Sequence, residues 1–291
     1  MKKILKMGYF ITIKATCLFG STQVRGQDDL SWAPWLNERR IIGANNLEPV
    51  VSQAATESYD LARVVARLET PDGVGYCSGS RIGENLFLTN YHCQESIECE
   101  NIVIHMGYEK GLDPNAQGIF QCERILASNE TYDYALLVAK WVGTQAEVDR
   151  MSKIDSLANK DDQTMVMPSV TPNDFPIAQL FVGELSATTP VIVASHPRGR
   201  FKEIDRSDEC MILSTEITSI SMRETMTHSC HTEGGSNGSP VIAKSHGAIL
   251  GLHWGGISNK NFMIPMSSII ADLQSQVSAS ELSQLNIVGE L

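Results

Sequence analysis

The sequence has no C-x-x-C pair and no comparably tight cysteine cluster, so it lacks the ligand spacing of a structural zinc site. It has no basic excess either. Lys and Arg number 23 against 34 Asp and Glu, for a net charge of −11. That balance excludes nucleic acid and anionic membrane surfaces as partners. No apolar run is long and unbroken enough to span a bilayer; the run through residues 9–19 is interrupted by Lys14. There is no internal repeat and no low-complexity stretch, which excludes a repeat array.

What is present begins with a leader. Residues 1–26 read as a secretory signal: Lys2, Lys3 and Lys6 open it, and Tyr9, Phe10, Ile11, Ile13, Leu18 and Phe19 form its apolar part. Val24 and Gly26 offer a cleavage site before Gln27. Five cations and no acids lie in this leader, so the remainder carries −16 instead of −11. Residues 27–40, polar with Trp32 and Trp35, read as a pro-segment, and residues 41–291 as the functional domain. Of the seven cysteines, Cys17 lies in the leader, leaving an even six. An even set in an exported chain implies a disulfide framework, with fifteen connectivities open on arithmetic alone. The expected location is secreted or periplasmic, with no membrane association once the leader is removed.

From Ile41 onward the texture is that of a β protein. Short apolar runs recur at residues 61–68, 85–89, 102–106, 134–138, 190–194, 211–220, 241–243 and 248–253, punctuated by Gly, Pro, Asn and Asp. Residues 145–157 carry Val148, Met151 and Ile154 at helical spacing, and residues 267–277 and 279–285 are helix-like. Residues 160–176, rich in Asp, Pro and Met, read as a surface loop.

Five strings carry chemistry. Cys77-Ser78-Gly79-Ser80-Arg81-Ile82-Gly83 is followed by Leu88-Thr89-Asn90-Tyr91-His92-Cys93; next comes Thr131-Tyr132-Asp133-Tyr134-Ala135-Leu136-Leu137. Later stand Gly234-Gly235-Ser236-Asn237-Gly238-Ser239-Pro240 and Gly251-Leu252-His253-Trp254-Gly255-Gly256. Together, in this order, they resemble the chymotrypsin/trypsin-like serine peptidases, and among them the bacterial glutamyl endopeptidases of staphylococcal V8 type. The resemblance covers residues 41 to the C-terminal helix. It implies an all-β fold of two packed antiparallel six-stranded β-barrels with a C-terminal helix and the cleft between the barrels. It implies His92 as general base, Asp133 as the carboxylate that orients it, and an oxyanion hole from the backbone N–H groups of Gly235 and Asn237. The bridges it implies are Cys77–Cys93, Cys99–Cys122 and Cys210–Cys230. Thr232, His253, Trp254 and Gly255 match the wall that receives a glutamate side chain, where a histidine with a hydroxyl partner suits a carboxylate.

One position departs from the pattern. Those peptidases place a serine directly before Gly-Ser-Pro, and here Asn237 stands there. An amide has no proton that a histidine base can remove to make a nucleophile. The nearby hydroxyl, Ser236, is the alternative nucleophile, one residue early; neighbouring Cα atoms are about 3.8 Å apart. Arg39-Arg40-Ile41-Ile42-Gly43 resembles an activation site, yet Ser236 occupies the place of the aspartate that would bury a new amino terminus. The expectation is therefore a secreted, monomeric member with a peptide-binding cleft, impaired in catalysis, against the alternative of an endopeptidase that uses Ser236. No cofactor and no metal are expected. His105, His196 and His246 read as structural, and His228 and His231 flank Cys230 without a third ligand.

Overall fold

A computed structural model describes residues 39–41, 44–50, 56–156, 170–257 and 259–289. The expected signal, residues 27–38 of the expected pro-segment and most of the 160–176 loop lie outside the described residues. Within that loop, Pro172–Asp174 forms one 3₁₀ turn.

Two short strands, β1 (Arg39–Arg40) and β2 (Glu48–Pro49), precede a short helix, α1 (Glu57–Ala62). The Thr56 hydroxyl accepts the Tyr59 N–H at 3.2 Å, an N-cap that starts the helix. This cap corrects the first expected strand. Leu61 and Ala62 belong to the end of α1, and the strand begins only at Val65.

Six strands follow: β3 (Val65–Glu69), β4 (Gly75–Arg81), β5 (Leu86–Thr89), β6 (Val103–Met106), β7 (Gly118–Asn129) and β8 (Tyr134–Thr144). They close an antiparallel barrel in the order β3-β4-β5-β8-β7-β6. Helix α2 (Tyr91–Gln94) follows β5, and α3 (Gln145–Ser156) follows β8 where helical spacing predicts it.

The second half comprises β9 (Gln179–Phe181), β10 (Val191–Ser195), β11 (Glu203–Asp205), β12 (Ile212–Ile220), β13 (Arg223–His228), β14 (Thr232–Glu233), β15 (Pro240–Ala243), β16 (Ile249–Ile257) and β17 (Lys260–Pro265). Helices α4 (Met266–Gln276) and α5 (Ala279–Leu282) and strand β18 (Asn286–Val288) end the described chain. Strands run β12-β13-β17-β16-β15-β10-β11-β2, with β9 and β18 joined at β16. Six longer strands (β10, β12, β13, β15, β16, β17) form the body of this sheet. The short β2, β9, β11 and β18 extend it to ten, beyond the six expected. Outside it, β1 pairs with β14.

One apolar core runs through both halves, from Val65, Leu88 and Leu136 of the barrel to Ile192, Ile242, Leu252 and Ile269. Two buried cations also tie the halves together. Arg81 donates from Nη1 to the carbonyls of Pro172 (2.6 Å) and Phe175 (2.5 Å), pinning the connection between halves to the barrel. Lys202, fully buried, meets Glu109 at 3.0 Å, so its charge is paired where water cannot reach it. The three expected bridges, Cys77–Cys93, Cys99–Cys122 and Cys210–Cys230, are all formed.

Candidate active site

The barrel supplies His92 and Asp133. Strand β5 ends at Thr89, and α2 turns His92 out at the barrel rim while Cys93 is tied back to β4 through Cys77. Asp133 sits in the turn before β8 with φ of +42°, a conformation that Asp tolerates better than most side chains. Its carbonyl accepts from Asn90 Nδ2 at 2.8 Å, and its Oδ1 accepts from the His92 backbone N–H at 3.1 Å. The carboxylate, fully buried, reaches His92 Nδ1 at 2.9 Å through Oδ2. An ionised carboxylate only accepts, so Nδ1 carries the proton and Nε2 is left as an acceptor.

The second half supplies a loop held at every peptide. Ser78 of β4 donates its N–H to the Asn237 carbonyl and its hydroxyl to the Gly235 carbonyl, each at 2.9 Å, and accepts the His196 N–H at 2.9 Å. The Arg198 N–H donates to the Gly234 carbonyl at 2.6 Å, and the Gly238 N–H to the His253 carbonyl at 2.9 Å. In a trans peptide the carbonyl and the next N–H point to opposite sides. Gly234 O is turned toward Arg198, so the Gly235 N–H is turned away from it. Glycine is needed at both bends. Gly238 has φ of +84°, and a Cβ there would lie 2.1 Å from the Ser78 carbonyl oxygen. Gly235 has φ of +89°, and a Cβ there would lie 2.7 Å from Arg198 N.

Within this loop the two candidate side chains diverge. Asn237 Nδ2 stands 2.9 Å from His92 Nε2, so the amide donates to the acceptor nitrogen of the ring. Ser236 is fully buried on the other side, its hydroxyl donating to Ser195 Oγ at 3.0 Å and accepting the Glu233 N–H at 3.3 Å. Sequence neighbours thus face different halves of the molecule.

The remaining predicted residues lie along β16 and β14. His253, almost fully buried, places Nδ1 3.1 Å from His228 Nε2. Burial pushes the His228 imidazolium down to about 3, so this ring is neutral and carries one proton. Among the described residues His228 Nδ1 has no hydrogen-bond partner, and a buried orphan N–H is costly. Its proton therefore sits on Nε2 and is donated to His253 Nδ1, which leaves the His253 proton on Nε2. Thr232 Oγ1 donates to Asn261 Oδ1 at 3.2 Å, and Asn261 Nδ2 to the Cys230 carbonyl at 2.5 Å. Trp254 stacks on Phe262 with centroids 5.2 Å apart, and its Nε1 donates to Thr225 Oγ1 at 3.2 Å. Gly255 and Gly256 pair with β17.

Sequence reasoning did not single out Ser78, Ser195, His228 as the partner of His253, or Arg223. The last lies with Nε 3.0 Å from Asp133 Oδ2. The C-S-G string does contain Ser78; the others come into place only through strand pairing.

Residues 77–252, more than half of the chain, match the trypsin-like peptidase domain. The chain belongs to the trypsin-like peptidase domain family. The matched span holds His92, Asp133 and the whole Asn237 loop, and ends at Leu252, beside His253. Among solved structures, the MamO protease domain from Magnetospirillum magneticum shares the fold, with a TM-score of 0.53 at 11% identity over 75% of this chain and 99% of that one. The Rv3671c protease of M. tuberculosis is also similar: 14% identity, 75% of this chain, 91% of that one, and a TM-score of 0.49. No curated protein matches the sequence. Among the described residues no helix is long and apolar enough to cross a membrane. His92, Asp133 and the Asn237 loop are thus brought together from both halves, with the Asn237 amide against the histidine ring.

Proposed function

We propose that this chain is a secreted, glutamyl-endopeptidase-like member of its family in which Asn237 takes the place of the nucleophile. On this reading the cleft binds peptides without cleaving them efficiently. The observation that carries the proposal is the 2.9 Å contact from Asn237 Nδ2 to His92 Nε2, made while the Ser236 hydroxyl is bonded to Ser195. The first step of acyl transfer needs a group that surrenders a proton to His92 and attacks as an oxyanion or thiolate. An amide nitrogen does neither. In a serine protease the loss of a triad member costs on the order of a millionfold.

Ser236 is a poor substitute. Turning it toward His92 gives up two hydrogen bonds, each worth about 1 kcal/mol. It also shifts a loop held at Gly234, Gly235, Asn237 and Gly238, and a misplacement near 1 Å costs about a hundredfold.

Binding has more support than catalysis. The Gly235 and Asn237 N–H groups act as the oxyanion hole, since neither depends on the side chain at position 237. For the side chain before the scissile bond we favour glutamate. His253, whose Nδ1 faces His228 Nε2 at 3.1 Å, is the group we assign to meet that carboxylate. Three disulfides support an oxidising location such as the cell exterior or the periplasm.

The test is cleavage of a peptide with a single glutamate by the wild type and by Asn237→Ser. Cleavage by the variant alone supports the proposal. Cleavage by both proteins, abolished by Ser236→Ala, overturns it.

A further inference from the structure

Arg223 is the first residue of β13, directly after a tight turn in which Ser221 and Met222 both have positive φ (50° and 66°). Two consecutive residues of that kind fit a type I′ hairpin turn, which matches the twist of its strands and fixes where the next side chain emerges. The Arg223 guanidinium lies over the Trp254 ring at 5.0 Å, and Trp254 is itself held by Phe262 and Thr225. Its Nε reaches Asp133 Oδ2 at 3.0 Å. That is the same carboxylate oxygen His92 Nδ1 meets at 2.9 Å. Arg223 Nε and His92 Nδ1 are therefore at most 5.9 Å apart, the two contacts laid end to end.

The two effects of this cation on the dyad differ in size. Its orienting effect is small, since Arg223 Nε makes no hydrogen bond of good geometry. Asp133 is already aimed by the His92 N–H, by His92 Nδ1 and by Asn90. Its charge matters more, because the carboxylate it faces is buried. A base that takes a proton becomes an imidazolium, and Asp133 stabilises it by being negative. A permanent positive charge within 6 Å opposes that, and at an effective dielectric of about 20 the repulsion corresponds to roughly 10- to 100-fold in rate. The other charged or titratable groups near this side are Tyr132, Glu224 and Asp272; burial aside, the two acids push the Tyr132 phenol up. They stay the same whichever residue occupies position 223.

We propose that Arg223 is a second brake on the centre, a residue whose charge, held against Asp133, opposes proton uptake by His92. This rests on the reading of Asn237 given above. The site then departs from a working peptidase on both sides of the histidine, at the nucleophile position and behind the base.

The experiment compares Asn237→Ser, Asn237→Ser/Arg223→Gln and Asn237→Ser/Arg223→Lys on a glutamyl peptide, with kcat normalised to sites labelled by a fluorophosphonate. The normalisation removes any fraction that fails to fold. The Gln variant is expected to raise kcat about 10- to 100-fold with KM changed less than threefold, and the Lys variant, which keeps the charge, to gain less than threefold. If Asn237→Ser alone is inert and the Gln double variant cleaves, Arg223 is the brake in full. An unchanged or lower kcat in the Gln variant, with Asn237→Ser active, overturns this inference and leaves the proposed function standing. If no variant cleaves or labels, the intact scaffold assumed in the proposed function is what fails.

Discussion

The two sides of the cleft have been treated differently. On the barrel side His92 and Asp133 keep the mutual geometry of a base and its orienting carboxylate, at 2.9 Å. On the sheet side the loop backbone is equally ordered, with two left-handed glycines and five hydrogen bonds, yet its tip carries an amide. The comparison separates two kinds of information in a catalytic loop. Shape resides in the glycines and in main-chain contacts to Ser78, Arg198 and His253, whereas reactivity resides in one side chain. On the proposed function, the shape of the loop is kept where its reactivity is not.

The most forceful way to break the comparison is to restore the missing group. Asn237→Ser is expected to raise kcat/KM on a glutamyl peptide by at least about a thousandfold, measured by steady-state hydrolysis. A gain below tenfold that Arg223→Gln does not rescue would mean that the sheet-side backbone is not held as described. Next comes the junction between the halves. Lys202→Met leaves the buried Glu109 carboxylate without its partner and should cost about 3–5 kcal/mol in urea denaturation. A cost near zero would show that water reaches the pair.

A smaller effect sharpens the barrel side. Replacing Cys77 and Cys93 by serine opens a bridge between residues 16 apart and should cost about 2–4 kcal/mol. Losing Cys99–Cys122, 23 apart, should cost a similar amount. Only the first should also lower the activity of the Asn237→Ser protein, because Cys93 adjoins His92. The mildest test is acidification. His105 and His228 are pushed down to about 3, and His196 also well down, chiefly by burial. Each is neutral when folded and takes up a proton when unfolded below its ordinary value near 6.5. Their contribution to stability is complete above about pH 6.5 and is lost as pH falls toward 3. The Tm should decline across that window, and His228→Gln should flatten the decline.

The sequence made the barrel side more readable than the sheet side. His92, Asp133 and their cysteine bridge sit in contiguous strings, because a tight turn and a short helix place each of them locally. The His228–His253 pair and the Arg223–Asp133 contact span 25 and 90 positions, and they exist only because β13, β17 and β16 pair in a fixed register. Strand β13 itself, Arg223-Glu224-Thr225-Met226-Thr227-His228, has one large apolar residue and gives no alternation to notice. Strand β7 was hidden differently. Three register shifts against β8 interrupt its in-out pattern. The start of β3 was obscured by Leu61, which belongs to a capped helix turn.

The most direct measurement is fluorophosphonate labelling of the wild type and of Asn237→Ser, followed by peptide mass mapping, because the reagent marks only a serine activated by its base. The account predicts an unlabelled wild type and a variant labelled at position 237. Labelling of the wild type at Ser236 would contradict it, and would mean that the loop rearranges to offer a nucleophile after all.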